Sequence, residues 1–307
     1  MAPEQLRASS DPYLAHETYR HLRLMLVALP ALLLVGLIGG AIAFGLGSIQ
    51  GSLSAYYLGP LRDVFVGCMV GIAVCLVAYR GEALEDYALN LAGFYALFVA
   101  FIPTQLARSL AELETPEKRT EVINSLRVTI GAVLIVTIAF LIVEARTKRW
   151  AYHELRKNTV TRWFYWISTA LALAFVALLL WRAAEGTTFD NVHLAAAILL
   201  VVSMATAVAS YAWPAPTGSL RPPSVRRQSS GELMAPGDEA RTYVVIFWLM
   251  VAGIAVYAAF SRTDFAGIVT ELWELGLFVA FWFIQTRRKW DPPTAAPAAA
   301  AEMRVEH

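Results

Sequence analysis

The chain has 307 residues, of which 58% are hydrophobic and 16% charged, with a mean hydropathy of +0.54. Soluble domains carry roughly 25% charged residues, so apolar runs spread along the whole chain exclude an ordinary water-soluble globule and predict an integral membrane protein. A formal net charge of +1 provides no footprint for nucleic acid, which is not expected as a partner.

Residues 1–23 are polar, carry Arg7, Arg20 and Arg23, and read as a cytoplasmic tail. The apolar run that follows is too long for a signal-peptide core and has no clear small-residue cleavage site after it, so a retained first span is expected over about 24–46. Gly36 and Gly40 give this span a small-xxx-small face for close packing. The next stretch, 51–67, reads GSLSAYYLGPLRDVFVG and packs hydroxyls, two tyrosines, a turn and an Arg-Asp pair between two apolar runs. Residues 24–61 hold no charged residue at all.

The second span is expected over about 61–79. Asp63 sits in its first turn, where a carboxylate suits the positive end of the helix dipole, and Gly67 and Gly71 repeat the small-xxx-small spacing. Cys68 and Cys75 are seven apart on one helix, about 10 Å at 1.5 Å per residue, which is too far for a disulfide and reads as packing. A short acidic connection with Glu82, Glu85 and Asp86 leads to a third span over about 87–107. Residues 108–124 are charged and mixed in sign and read as a solvated loop or surface helix. The fourth span follows over about 123–143, then a basic connection with Arg146, Lys148, Arg149, Arg156, Lys157 and Arg162. The simplest reading is that the acidic and basic connections form a solvated charge balance; the cations of the basic one, with Trp150, Tyr152 and Trp163 nearby, also suit anionic lipid headgroups.

The fifth span is expected over 163–181, and the sixth over about 191–213 with Asp190 and Asn191 as its cap. Residues 214–241 carry five prolines with serine and glycine and read as a cytoplasmic linker. The seventh span is expected over 242–260 and the eighth over about 265–286, ending in Arg287, Arg288 and Lys289. A Pro/Ala-rich cytoplasmic tail closes the chain, so that the membrane domain is 24–286 and the tail 287–307. The fold class is thus an all-α bundle of about eight spans. Eight spans put both termini on one side, with 18 of the 25 Lys and Arg on that side and 7 on the other. The positive-inside rule makes that side cytoplasmic, in the plasma membrane.

This topology delivers Ser54, Tyr56, Arg62, Asp63, His193, Glu271 and Glu274 to the outer half. Glu271 and Glu274 share a helix face at i, i+3. With a helix start near Phe265, Glu274 lies roughly 13 Å deep in a hydrocarbon core of roughly 30 Å. Carboxylates there face a bundle interior or a wet cavity, and Arg62 or His193 are the available partners. A start near Val269 instead leaves both glutamates at the headgroup boundary. Tyr56 and Tyr57 also suit an interfacial aromatic belt. There is no His-xxx-His pair and no Cys/His cluster, so no metal or other cofactor is expected.

The run from Ser52 to Tyr57, with Arg62, Asp63, Phe65 and Gly67 after it, resembles a stretch typical of a group of bacterial polytopic membrane proteins. In that group a late span often starts His-xxx-Ala, as His193 does here, and the last span carries a Glu followed by Phe and Trp, as Glu274, Phe278 and Trp282 do. The resemblance covers most of the membrane part and implies no particular activity. A more distant likeness is to the membrane hydrolase superfamily that includes alkaline ceramidases, with an early-span Ser and Asp and late-span polar residues. Their zinc site takes three histidines, which this chain does not supply on one side.

The expectation is therefore an outward-facing polar pocket that binds or transports a lipid or small solute, among membrane lipids as its surroundings. The alternatives are a membrane-embedded lipid hydrolase or transferase, with Ser54, Asp63 and His193 as its working groups, and a structural partner subunit. Nothing in the sequence names a catalytic residue.

Overall fold

The structure is a computed structural model. It describes residues 3–45, 49–58, 61–104, 106, 110, 115–146, 155–156, 158–186, 189–213 and 236–290. Among these residues every regular element is helical: α1 (Pro3–Phe44), a 3-10 helix η1 (Leu53–Leu58), α2 (Arg62–Ala78), α3 (Ala83–Phe101), α4 (Pro116–Arg146), α5 (Thr159–Glu185), α6 (Asp190–Ala212), α7 (Pro236–Phe260) and α8 (Ala266–Arg288). Six of them, α1 from His16 and α4 to α8, are long and apolar enough to cross a membrane. The chain is a multi-pass membrane protein, the coarse class expected from composition.

The two helices outside that six are α2, with 17 residues, and α3, with 19, whose first turn spends its length on Glu85 and Asp86. Helix α3 packs against α2 on one side and α6 on the other, and buries most of its surface, including Tyr95, Phe98 and Ile102 just beyond its end. Around it the core divides in two. One half, near η1, gathers Leu53, Tyr56, Phe65, Phe98, Phe175 and Phe189. The other, at the opposite end, gathers Leu76, Tyr79, Leu89, Phe281 and Trp282. In lipid, apolar surface gains little by leaving its surroundings, so close packing and hydrogen bonds inside the bundle hold these helices together.

Close approach is visible at the α1–α2 seam. A Cβ at Gly40 would lie 2.9 Å from Leu61, and one at Gly71 the same distance from Leu29. Gly36 abuts Val64, but Gly67 faces open space, so the small-residue pattern of α2 is only half used for packing. The cysteines behave as packing residues: Cys68 and Cys75 are both buried and free.

Several element bounds differ from the sequence expectation. Helix α1 runs back through much of the expected tail, because its N-terminal half docks on the end of α8. There His16 Nε2 donates to the Trp290 carbonyl at 3.2 Å, Arg23 donates to the Lys289 carbonyl at 3.0 Å, and Arg20 lies over the Trp290 ring. Helix α4 begins at Pro116, inside the mixed-charge stretch expected as loop or surface helix. Helix α6 is preceded by Phe189 at its N-cap with no side-chain cap bond, so Asp190 and Asn191 lie inside the helix and not before it. Helix α7 begins at Pro236, within the last part of the expected linker, while 214–235 and the tail from 291 lie outside the described residues.

Candidate functional site

Helix α8 begins at Ala266, which makes Glu271 its sixth residue and Glu274 its ninth. Both carboxylates are therefore within a spanning helix and not ahead of it. What meets them is decided by segment 49–58 between α1 and α2, which holds η1 and no α-helix. This segment crosses the first turn of α8 at very short range: the Ile268 N–H donates to the Gly51 carbonyl at 2.7 Å. That bond satisfies one of the four N–H groups that a helix start leaves open. The crossing needs glycine on both segments. A Cβ at Gly51 would lie 2.5 Å from the Asp264 carbonyl, and one at Gly267 would lie 2.6 Å from the Gly51 carbonyl.

One turn further on, Glu271 closes the second contact. Its carboxylate accepts the Leu53 N–H and the Ser52 hydroxyl, the latter at 3.1 Å. The Ser52 and Ser54 hydroxyls are 2.6 Å apart, and Ser54 Oγ is 3.2 Å from Thr104 Oγ1, just past the end of α3. Donor bookkeeping orients this chain. Ser52 gives its single proton to Glu271, so Ser54 donates to Ser52 and Thr104 donates to Ser54. Three hydroxyls from two connections thus point in series at one carboxylate.

The segment is also folded on itself. The Ser54 N–H donates to Ser52 Oγ at 3.2 Å, a local serine turn, and the Gln50 N–H donates to the Tyr56 hydroxyl at 3.2 Å. Ser54 and Tyr56 are buried. They form part of a packed plug, not the lining of an open pocket.

The remaining expected site residues go elsewhere. His193 is buried, and its Nδ1 donates to the Ile102 carbonyl at 2.6 Å. It thereby closes the C-terminal end of α3, where carbonyls lack intrahelical partners. Arg62 does not pair with a glutamate. Its guanidinium lies 4.8 Å over the Tyr57 ring and donates to the Tyr57 hydroxyl at 3.4 Å. Asp63 is exposed on α2 and has no side-chain hydrogen bond or ion pair among the described residues. Glu274 faces α7 at Gly253, away from Ser52 and Leu53, so two carboxylates one turn apart serve different neighbours. Neither Glu271 nor Glu274 has an ion pair among the described residues.

A second polar node at the opposite end was not expected to be buried. Glu85 and Asp86, read from sequence as solvated acids, are both inside. Glu85 caps its own helix in a reciprocal capping box with Glu82 and accepts the Tyr211 hydroxyl. Lys289 donates to the Tyr79 and Tyr211 hydroxyls at 3.2 and 3.1 Å and lies over both rings. Gln285 donates to the Tyr243 hydroxyl at 2.9 Å. Asp86 pairs with Arg80, which also reaches Glu144 on α4; most of the basic connection after α4, 147–154 and 157, lies outside the described residues. Burial lowers the readiness of Arg80 to hold its proton, but the carboxylates of Asp86 and Glu144 outweigh it and leave the guanidinium pKa above its ordinary value. The available sequence signal was a tyrosine at the same end of three helices: Tyr79 just after α2, Tyr211 late in α6 and Tyr243 early in α7. Tyrosine there also suits an interfacial belt, which hid the network.

Among the described residues no group of three or more His, Cys, Asp or Glu could hold a metal ion. Compared with protein-family models, curated proteins and solved structures, the chain shows no match.

Proposed function

We propose that this protein crosses the plasma membrane eight times with both termini cytoplasmic, and that it binds or transports a lipid or small solute at its outer end. In this reading segment 49–58 is a plug and Glu271 is its latch. At 1.5 Å per residue α2 and α3 are about 26 and 28 Å long, close to a hydrocarbon core of roughly 30 Å. That supports counting both as spans. The excess of Lys and Arg at the Lys289 end supports the orientation.

The observation that carries the functional reading is the chemistry of the latch. Among the described residues, this carboxylate inside a spanning helix is held only by a serine hydroxyl and one peptide N–H, both neutral and both from segment 49–58, which holds no α-helix. Such bonds exchange with water or with a ligand's own donors at a modest net cost of about 1 kcal/mol each. A buried ion pair would resist that exchange. A contact of this kind suits a segment that has to come away.

The hydrolase alternative needs Ser54, Asp63 and His193 around one reacting carbon. Asp63 is exposed and unpartnered among the described residues, and Ser54 is enclosed by Ser52 and Thr104. This favours binding or transport over hydrolysis.

Native mass spectrometry of the full-length protein from mild detergent, beside Glu271→Gln, tests the proposal. A discrete lipid or solute on the wild type, reduced or lost in the variant, is the expected result. The same ligand-free mass in both would overturn it and favour a structural partner subunit.

A further inference from the structure

Glu274 makes none of the contacts that hold Glu271. Its carboxyl lies in the seam between α7 and α8, in a gap left by Gly253: a Cβ there would be 2.1 Å from Glu274 Oε1. Its Oε2 is shut off from solvent and has no hydrogen-bond partner among the described residues. Across the same seam Trp273, next to Glu274, donates to the Leu249 carbonyl of α7 at 2.9 Å, and Gln285 donates to the Tyr243 hydroxyl at the Lys289 end.

Among the described residues, nothing packed against α8 supplies a compensating charge at this level. Residues 24–44 of α1 and 242–260 of α7 contain no Asp, Glu, Lys, Arg or His. The titratable groups of α7 are Asp238, Glu239 and Arg241 in its first turns, Tyr243, which belongs to the Lys289 end, and Tyr257, which is exposed. On η1 they are Tyr56, bonded to the Gln50 N–H, and Tyr57, beneath Arg62. On α6 they are Asp190 at its first position, His193, bonded to Ile102, and Tyr211, bonded to Glu85. The charged groups of α1 all precede Leu24: Glu4, Arg7 and Asp11 in its first turns, and Glu17, Arg20 and Arg23 with His16 and His21, which lie toward the Lys289 end. On α8 itself Glu271 is engaged by Ser52 and Leu53. Arg287, Arg288 and Lys289 are at the far end of the helix.

A carboxylate in a bilayer with no cation and no donor is expensive, and there are two ways to neutralise it. A metal cation of the hard class needs several oxygen ligands, and this seam offers one carboxyl. A proton needs one oxygen. We propose that Glu274 is a proton-binding site reached through the α7–α8 seam, and that Gly253 keeps room there for the uncharged acid. This assignment rests on the surroundings of Glu274 alone and stands apart from the latch role of Glu271.

A hydrophobic carbodiimide tests it, because such reagents enter the bilayer and react with the acid form of a carboxyl. The carboxyl oxygen bonds to the central carbon of dicyclohexylcarbodiimide and the acid proton moves to one nitrogen. The O-acylisourea formed then rearranges to a stable N-acylurea, with no atom lost. Full-length protein in detergent is treated and mapped by peptide mass spectrometry.

The expected result is an adduct on Glu274 that is absent in Glu274→Gln and retained in Glu271→Gln. Its rate falls by about tenfold per pH unit once the acid is the minority form and is unchanged by sodium chloride at fixed pH. No adduct on wild-type Glu274 at any pH would overturn the proposal, and so would suppression by sodium at fixed pH, which would assign a metal cation instead. Peptide mapping of the wild type decides the matter even if a variant fails to fold. Loss of ligand binding in Glu271→Gln with labelling of Glu274 intact would separate the two proposals.

Discussion

Glu271 and Tyr211 each join two elements through hydrogen bonds that lipid cannot replace. Truncating Glu271 to Ala leaves the Leu53 N–H and the Ser52 hydroxyl without an acceptor, at about 1–3 kcal/mol for each buried donor. Glu271→Gln keeps one acceptor oxygen. Thermal unfolding in detergent should therefore rank wild type above Glu271→Gln above Glu271→Ala. A Gln variant as unstable as the Ala variant would mean that the charge, not the acceptor, holds the plug. Tyr211→Phe removes the hydroxyl that links Glu85 to Lys289 and leaves a buried carboxylate oxygen open. A loss of about 1–3 kcal/mol is expected in the same assay. An unchanged unfolding midpoint would show that water replaces the phenol and that this end is wetter than its burial implies.

At the scale of elements, two seams make opposite demands on glycine. At the crossing of segment 49–58 with α8, backbone meets backbone, so neither side can yield. Gly51→Ala should push η1 off α8 and speed amide hydrogen exchange at Leu53 and Ile268 while leaving α3 protected. Unchanged protection at both amides would mean that the crossing tolerates a methyl group and is not the hinge of the plug. At the α1–α2 seam the neighbour is the end of a leucine, which can move. A larger side chain is needed to strain it: Gly40→Leu should cost about 1–3 kcal/mol by overpacking. Gly67→Leu should be close to neutral, because nothing lies within 4 Å of its Cβ position. Equal losses in the pair would refute the assignment of Gly40 to the seam.

For the whole molecule, the decisive quantity is sidedness. Ser261 is exposed in the turn between α7 and α8, at the η1 end, and His21 is exposed on α1 at the other. The native Cys68 and Cys75 are buried and give little background. With eight crossings, Ser261→Cys should react with a membrane-impermeant maleimide on intact cells, and His21→Cys only after permeabilisation. Labelling of both from one side would break the eight-span reading and move the Glu271 end to the cytoplasmic face.

Membrane class and helix positions were legible in the sequence because lipid imposes a local rule. A span must be long, apolar and helical, with every peptide group bonded within its own segment. The same rule made Glu271 and Glu274 visible, since charge inside such a run stands out against its neighbours. Their separate fates were not legible. Spacing on α8 placed both on one face, but their partners, a serine turn some 219 residues away and a glycine on the preceding helix, were set by how α8 packs. The burial of Glu85 had the same cause: a short acidic connection reads as solvated until α6 and α8 bring Tyr211 and Lys289 against it. Composition and periodicity determined which segments are helices in the membrane. Which polar side chains meet inside the bundle was decided only by tertiary packing, because hydrogen bonds between helices depend on rotation and depth, which hydropathy does not encode.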